Sequence, residues 1–312
     1  MKFKVFIDGA EGTTGLKIHE YFRKRDDIDV IKIDPEKRKD VDERLTMMKK
    51  ADISFLCLPD SAAREIAALA PERCRVLDTS TAHRVDSRWV YGMPEIPGQR
   101  EKIKESNRVA VPGCHATGAI LLTRPLIEGG LVPADYPFSV FSLTGYSGGG
   151  KKMIAQYEGS ERQRGNSGNQ DVLCSPRQYG IAQAHKHLPE IISVTGMSNP
   201  PSFMPVVGDY YSGMEVTVPI RLPGLKKSDV EKAMDAYYAN QPMVSVKESI
   251  DDGGFIASGR LSGSNRLEIT IAGNDENILL IATYDNLGKG ASGAAVQNMN
   301  IMLGIEETKG LI

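Results

Sequence analysis

The sequence lacks the features that mark several protein classes. Its four cysteines, Cys57, Cys74, Cys114 and Cys174, lie far apart with no CxxC pair. That argues against a disulfide framework or a Cys-rich zinc module and fits a reducing, cytoplasmic setting. No apolar run approaches the ~18 residues that a membrane span needs. The first residues enter a strand-like pattern directly, without the apolar core of a signal peptide. An excess of one charge is lacking too: 38 Lys and Arg stand against 40 Asp and Glu. Bulk electrostatics therefore favours neither nucleic acid nor a membrane surface as partner. Histidine is scarce, at five in 312 residues, so histidine chemistry has few candidates. The length suits about two domains.

What is present begins with a strand at 4–8 and the turn Gly9-Ala10-Glu11-Gly12-Thr13-Thr14-Gly15, followed by an amphipathic helix at 16–24. A glycine-rich turn between strand and helix lets the backbone approach a pyrophosphate at the helix N-terminus. The spacing is GxxGxxG rather than GxGxxG. A second strand at 29–34 ends on Asp34, where an acid would hold an adenine ribose hydroxyl. Lys37, Arg38 and Lys39 follow, and cations there would instead suit a 2′-phosphate, so the residues leave NAD and NADP both open. The continuous apolar stretch 51–58 suits a parallel strand covered on both faces, with a helix to Ala70 and a further strand at 75–78. Residues 79–84 form the exit loop of that strand. The alternation predicts a doubly wound α/β domain.

The stretch 109–122 carries the chemistry. A β-branched run feeds Pro112-Gly113, and Cys114 precedes small and apolar residues at helical spacing. Cys114 is thus expected at the mouth of a helix, where unpaired N–H groups and the dipole favour a thiolate. Further on, the spacing predicts strands at 138–143, 214–221, 267–272 and 278–284, a helix at 229–240, and a polar surface loop at 161–170. These make an α+β domain with a mixed sheet. Residues 285–300 read as a glycine loop running into a helix of small residues. His185-Lys186-His187-Leu188-Pro189-Glu190 places two histidines on one side of an extended segment. Zinc has suitable ligand types there but no second paired motif. A general acid/base beside a thiolate accounts better for the segment, with His185 or His187 in that role. His115, next to Cys114 in sequence, is expected to point elsewhere. A dinucleotide fold, a thiol at a helix mouth and a histidine in another domain together suggest hydride transfer to or from a cysteine thioester.

Several segments carry a family resemblance. Pro112-Gly113-Cys114-His115-Ala116-Thr117-Gly118, the His185–Glu190 segment, Asp78-Thr79-Ser80-Thr81-Ala82-His83-Arg84, Tyr91-Gly92-Met93-Pro94-Glu95 and residues 285–300 resemble, in order, motifs of the shorter N-acetyl-γ-glutamyl-phosphate reductases. The chain departs from the family at Gly9-Ala10-Glu11-Gly12 (for SGYTG), at His83 (Phe in the longer variant) and at Lys151 (for Arg). The resemblance implies a glyceraldehyde-phosphate-dehydrogenase-like architecture. A Rossmann-like dinucleotide-binding domain would comprise 1–113 and 285–312, and a catalytic and dimerisation domain 114–284, in a homodimer or homotetramer. It implies an NADP(H)-dependent step of arginine biosynthesis on a small acyl phosphate, releasing inorganic phosphate. Cys114 would be the nucleophile and His185 the proton carrier, with His187 as alternative and Glu190 orienting one of them. Cofactor contacts would come from Gly9, Ala10, Glu11, Gly12, Thr13, Thr14, Gly15, Asp34, Ser80, Asn286 and Gly288. Ser80, Arg84 and Lys151 would meet the substrate; no metal is expected. The rival readings are an aspartate-semialdehyde dehydrogenase or other acyl-phosphate reductase and, outside enzymes, an NADP-binding redox sensor. A sensor needs no proton carrier of the His185–His187 kind.

Overall fold

Six runs rich in β-branched and apolar residues build the first sheet of this computed structural model, which describes residues 2–160, 162, 172–249 and 252–312. They are β1 (Phe3–Asp8), β2 (Ile28–Ile31), β3 (Ile53–Leu56), β4 (Val76–Asp78), β5 (Val90–Tyr91) and β6 (Arg108–Ala110). All pair in parallel, in the order β2-β1-β3-β4-β6-β5. Every residue of β3 and β4 is buried, as a parallel sheet covered on both faces requires. Helices α1 (Thr13–Phe22), α2 (Val41–Lys50), α3 (Asp60–Leu69) and α4 (Gln99–Glu105) follow the strands. The chain leaves β1 for β2 on one side and returns to β3 on the other. That reversal opens a crevice at the carboxyl end of β1, where such sheets bind ligands.

The chain then builds a second unit with α5 (Cys114–Glu128), β7 (Ser139–Gly145), α6 (Gly150–Glu158), β8 (Arg177–Gln178), α7 (Leu188–Thr195) and β9 (Ser202–Gly208). It continues with β10 (Met214–Ile220), α8 (Lys227–Tyr238), β11 (Val244–Lys247), β12 (Leu267–Asn274) and β13 (Asn277–Tyr284). The sheet is mixed, in the order β11-β12-β13-β10-β7-β9-β8. Last comes α9 (Gly293–Leu303), which belongs to the first unit. The two units are Met1–Gly113 with Ala291–Ile312, and Cys114–Gly290. Asp285 and Asn286 remain with the second unit because they hydrogen-bond to Ser212, Gly213 and Ser147 there.

Helix α5 is buried over most of its length and packs on α7, α8, β10 and β13. It carries Pro125, which has no N–H to give the carbonyl of Leu121 one turn back. The hydroxyl of Tyr238, from α8, donates to that carbonyl at 2.6 Å. In the first unit α9 is buried around nearly its whole circumference although it holds Gln297, Asn298 and Asn300. Each amide finds a partner. Asn298 Nδ2 donates to Gly92 O at 2.8 Å, Gln297 Nε2 to Glu95 Oε1 at 3.0 Å, and Arg25 Nη1 donates to Asn300 Oδ1 at 3.2 Å.

Several elements differ from the sequence reading. The strands β5, β8, β9 and β11 and the helices α2, α4, α6 and α7 were not anticipated. Residues 185–187 are not extended; His187 has helical φ and ψ (−87°, −14°) and caps α7. Apart from Arg162, the loop expected at 161–170 lies outside the described residues.

Candidate active site

The glycine-rich turn follows β1 directly. Gly9 has φ +84°, and a Cβ there would meet the carbonyl oxygen of Cys57 at 2.2 Å. A Cβ on Gly15 would meet Gly9 O at 2.6 Å, and Gly12 is the N-cap of α1. Glycine is needed for the turn to fold against β3 and to bare the N-terminus of α1, which Thr13 and Thr14 open. Beside it runs a groove of about 590 Å³, lined by Gly9, Ala10, Glu11, Gly12, Lys32, Arg38 and Lys39 among others. This is the shape and position of a dinucleotide cradle. Arg38 Nη1 donates to Glu11 Oε1 at 2.7 Å across the groove mouth. Asp34 does not line the groove; its Oδ1 accepts the N–H of Glu36 and caps the short helix Pro35–Lys37. Deeper in, Asp8 pairs with buried Arg44 at 2.7 Å, and burial pushes the Asp8 carboxyl above its ordinary range. Burial likewise pushes the Cys57 thiol up to about 12, which leaves it protonated and unreactive.

The exit loop of β4 is organised by Asp78, which is fully buried. Its Oδ2 accepts the Ser80 hydroxyl at 2.8 Å and lies 2.6 Å from His83 Nδ1. The His83 ring stacks on Trp89 at 4.1 Å. Arg84 donates Nε to Val111 O and Nη2 to Thr79 O. Ser80 and Arg84 thus shape this loop from within.

In the second unit Cys114 is the first residue of α5, partly exposed. The first-turn N–H groups of a helix have no partner in the preceding turn and face any anion formed there. Tyr284, at the end of β13, stands in that turn. Its hydroxyl donates to Cys114 O at 2.7 Å and accepts Gly118 N–H at 3.1 Å. A Cβ on Gly118 would meet that hydroxyl at 2.7 Å and Val216 Cγ2 at 2.6 Å, so glycine lets α5 sit on the sheet. Burial first, and then the Cys114 charge, hold the Tyr284 phenol well above its usual pKa. It stays neutral and can donate and accept at once. Backbone also closes on the thiol: a Cβ on Gly290 would lie 3.1 Å from Cys114 Cβ.

His115, the residue after Cys114, belongs to a cluster of histidines. Its ring lies 5.6 Å from His185 and 5.5 Å from His187, which are 4.7 Å from each other. His185 is partly exposed, and its Nδ1 accepts the N–H of His187 at 3.2 Å, so the neutral ring carries its proton on Nε2. His187 is buried, with Nε2 at 3.9 Å from Glu190 Oε1. Glu190 therefore faces His187. Lys151 is exposed in the first turn of α6. Asn286 is buried, and its amide is committed to Ser147 Oγ and Gly213 N. A Cβ on Gly288 would meet Ser264 O at 2.2 Å. Among the described residues, no group of three or more His, Cys, Asp or Glu is placed to hold a metal ion, and no helix is long and apolar enough to cross a membrane. Neither Tyr284 nor the place of His115 among the other histidines is legible in the sequence. Tyr284 immediately precedes the glycine loop, but nothing in its local pattern marks it.

Family models match both parts of the chain: the NAD binding domain of semialdehyde dehydrogenases over residues 4–106 and their dimerisation domain over 114–286. The chain is 43% identical to N-acetyl-gamma-glutamyl-phosphate reductase 2 of Nostoc sp., with 99% of each chain covered. It is 44% identical to N-acetyl-gamma-glutamyl-phosphate reductase of Brucella anthropi, covering 97% of this chain and 99% of the relative. Its fold matches the crystal structure of aspartate semialdehyde dehydrogenase II from Vibrio cholerae with TM-score 0.71 at 17% identity, covering 97% of this chain and 99% of the other.

Proposed function

Because the chain belongs to the N-acetyl-γ-glutamyl-phosphate reductases of the semialdehyde dehydrogenase family, we propose that it reduces N-acetyl-γ-glutamyl phosphate to N-acetylglutamate 5-semialdehyde and phosphate, in arginine biosynthesis, through a thioester on Cys114. The observation that supports this is the placement of Cys114: first residue of α5, open enough to react, and followed by His115, which belongs to a cluster of three histidines.

The Cys114 thiolate attacks the acyl carbon, and the first-turn N–H groups of α5 receive the charge that develops on the acyl oxygen. Collapse expels phosphate and leaves the thioester. A nicotinamide cofactor held by the cradle after β1 would supply the hydride that reduces this thioester. Loss of the Cys114 thiolate then frees the aldehyde. His185 handles the proton: it is the exposed histidine of the pair, and its Nε2–H is fixed by the bond that Nδ1 accepts. His187, buried against Glu190, anchors the turn that aims His185. Lys151 meets the acyl phosphate as a mobile cation. Ser80 and Arg84 keep the β4 loop in the shape that receives substrate.

The cradle after β1 fits a dinucleotide: glycines at 9, 12 and 15 leave room that a Cβ would fill, and the groove lies at the carboxyl end of parallel strands. We assign NADP(H) rather than NAD. Arg38, Lys39 and Lys32 line the groove and suit a 2′-phosphate, whereas Asp34 is tied into a helix cap instead of facing a ribose hydroxyl. The match to a dimerisation domain supports an oligomer, which we take to be a homodimer or homotetramer working in the cytoplasm. The test is phosphate-dependent reduction of NADP with N-acetylglutamate 5-semialdehyde. Cys114→Ser should lower kcat by at least about a thousandfold; near wild-type turnover would rule out the covalent route. Aspartate semialdehyde in the same assay distinguishes the substrate class.

A further inference from the structure

Among the described residues, the second unit holds a buried imidazole that this mechanism does not use. His115 is 2% exposed, with Nδ1 2.6 Å from Ser142 Oγ and Nε2 2.5 Å from Tyr179 Oη. A neutral imidazole has one N–H and one bare nitrogen, so one of these hydroxyls donates to the ring and the other accepts from it.

The surroundings decide which. Ser142 is fully buried on β7, and among the described residues the ring of His115 is the one hydrogen-bond partner its hydroxyl has. A buried hydroxyl with a single acceptor in reach gives its proton to that acceptor. Nδ1 is then bare, Nε2 carries the ring proton, and that proton goes to Tyr179 Oη. The phenolic proton of Tyr179 has to point away from His115. Tyr179 is only partly buried, and its ring lies 5.9 Å from that of His185. We propose that Ser142 and His115 form a positioning chain that presents the Tyr179 hydroxyl as a hydrogen-bond donor to the acyl oxygen of the group held on Cys114. The proposal rests on the reading of Cys114 as the nucleophile.

Two further facts agree with it. Burial first, and then His185 and Lys186, push the pKa of His115 down to about 3, so the ring is neutral at working pH and is not itself the proton carrier. Burial first, and then the charge of Cys114, raise the Tyr179 phenol above its ordinary value, so it keeps its proton. A neutral phenol in such a place strengthens its hydrogen bond as charge grows on the acyl oxygen, without forming an ion of its own.

Two measurements on the full-length protein test this. In protein carrying ¹⁵N-labelled histidine, with the His115 resonances identified by their loss in His115→Gln, the Nε2–H tautomer is expected; the Nδ1–H tautomer would overturn the chain. In steady-state kinetics Tyr179→Phe should lower kcat by about a hundredfold, with KM for NADP and for semialdehyde changing less than threefold. An unchanged kcat, or a loss entirely in KM, also overturns the proposal. The tautomer is read without turnover, so it stands apart from the parent reading. Activity surviving in Cys114→Ser defeats the nucleophile, whereas an inactive Cys114→Ser beside an unimpaired Tyr179→Phe defeats only the donor.

Discussion

The phenol of Tyr284 stands inside the first turn of α5, bridging the carbonyl of Cys114 and the N–H of Gly118, a pair that an undisturbed helix joins directly. A side chain inserted into the ladder sets how that turn opens, and this turn carries Cys114, the proposed nucleophile. Tyr284→Phe keeps the ring and its packing but removes the bridge. Its kcat should fall about tenfold, roughly the value of one buried hydrogen bond, with KM for semialdehyde changed less than threefold. Steady-state rates at saturating NADP check this.

Arg38 lies over the groove with its guanidinium paired to Glu11. If it holds the 2′-phosphate, Arg38→Ala should raise KM for NADPH about tenfold or more, the worth of a charge-assisted hydrogen bond. KM for NADH should stay constant. Parallel titrations with the two cofactors separate this from a general loss of binding.

The Leu121 carbonyl accepts from Tyr238 because Pro125 cannot supply an N–H. Tyr238→Phe should cost about 1–3 kcal/mol by leaving that carbonyl buried and unpaired. Pro125→Ala should recover part of this loss in the Tyr238→Phe background and gain less in the parent chain. Urea unfolding of the four proteins gives the coupling.

His115 also gives stability a pH dependence. Its pKa in the folded chain is pushed down to about 3, whereas an unfolded histidine titrates near ~6.5. Between those values the unfolded chain binds more protons, so stability rises with pH and is lost as pH falls below about 6.5. From pH 6.5 to 5 the loss should approach about 2 kcal/mol. Urea midpoints at the two values should differ less in His115→Gln than in the parent chain.

Much of the first unit is legible in the sequence because its strands are continuous apolar runs and its turn is punctuated by glycine. What was illegible has specific reasons. Helix α2, VDERLTMMKK, buries only Arg44, Met47 and Met48, so its apolar stripe is too thin to read; its remaining signal is Asp40 capping the N–H of Glu43. Strand β9 carries Pro205, a residue that argues against a strand, yet it pairs with β7 over its full length. In the site, Cys114, His185 and Glu190 stand in readable motifs. For His115, adjacency on a helix says only that its side chain diverges from that of Cys114, not where it goes. Its partners Ser142, Tyr179 and His187 arrive from distant segments that no local pattern connects to it.

Helix α9 has a consequence for how the protein is made. It is the last helix of the chain, yet it is buried in the first unit, where Arg25, Arg75 and Gly92 all bond to it. Domains commonly fold in order as they leave the ribosome. Here the dinucleotide-binding sheet emerges first but stays without its covering helix until residues 293–303 have been made. The second unit, contiguous from Cys114 to Gly290, can complete itself earlier. The part whose synthesis begins first therefore waits for a helix made after the whole of the second unit, and until α9 emerges the apolar surface that it will cover is open to chaperones.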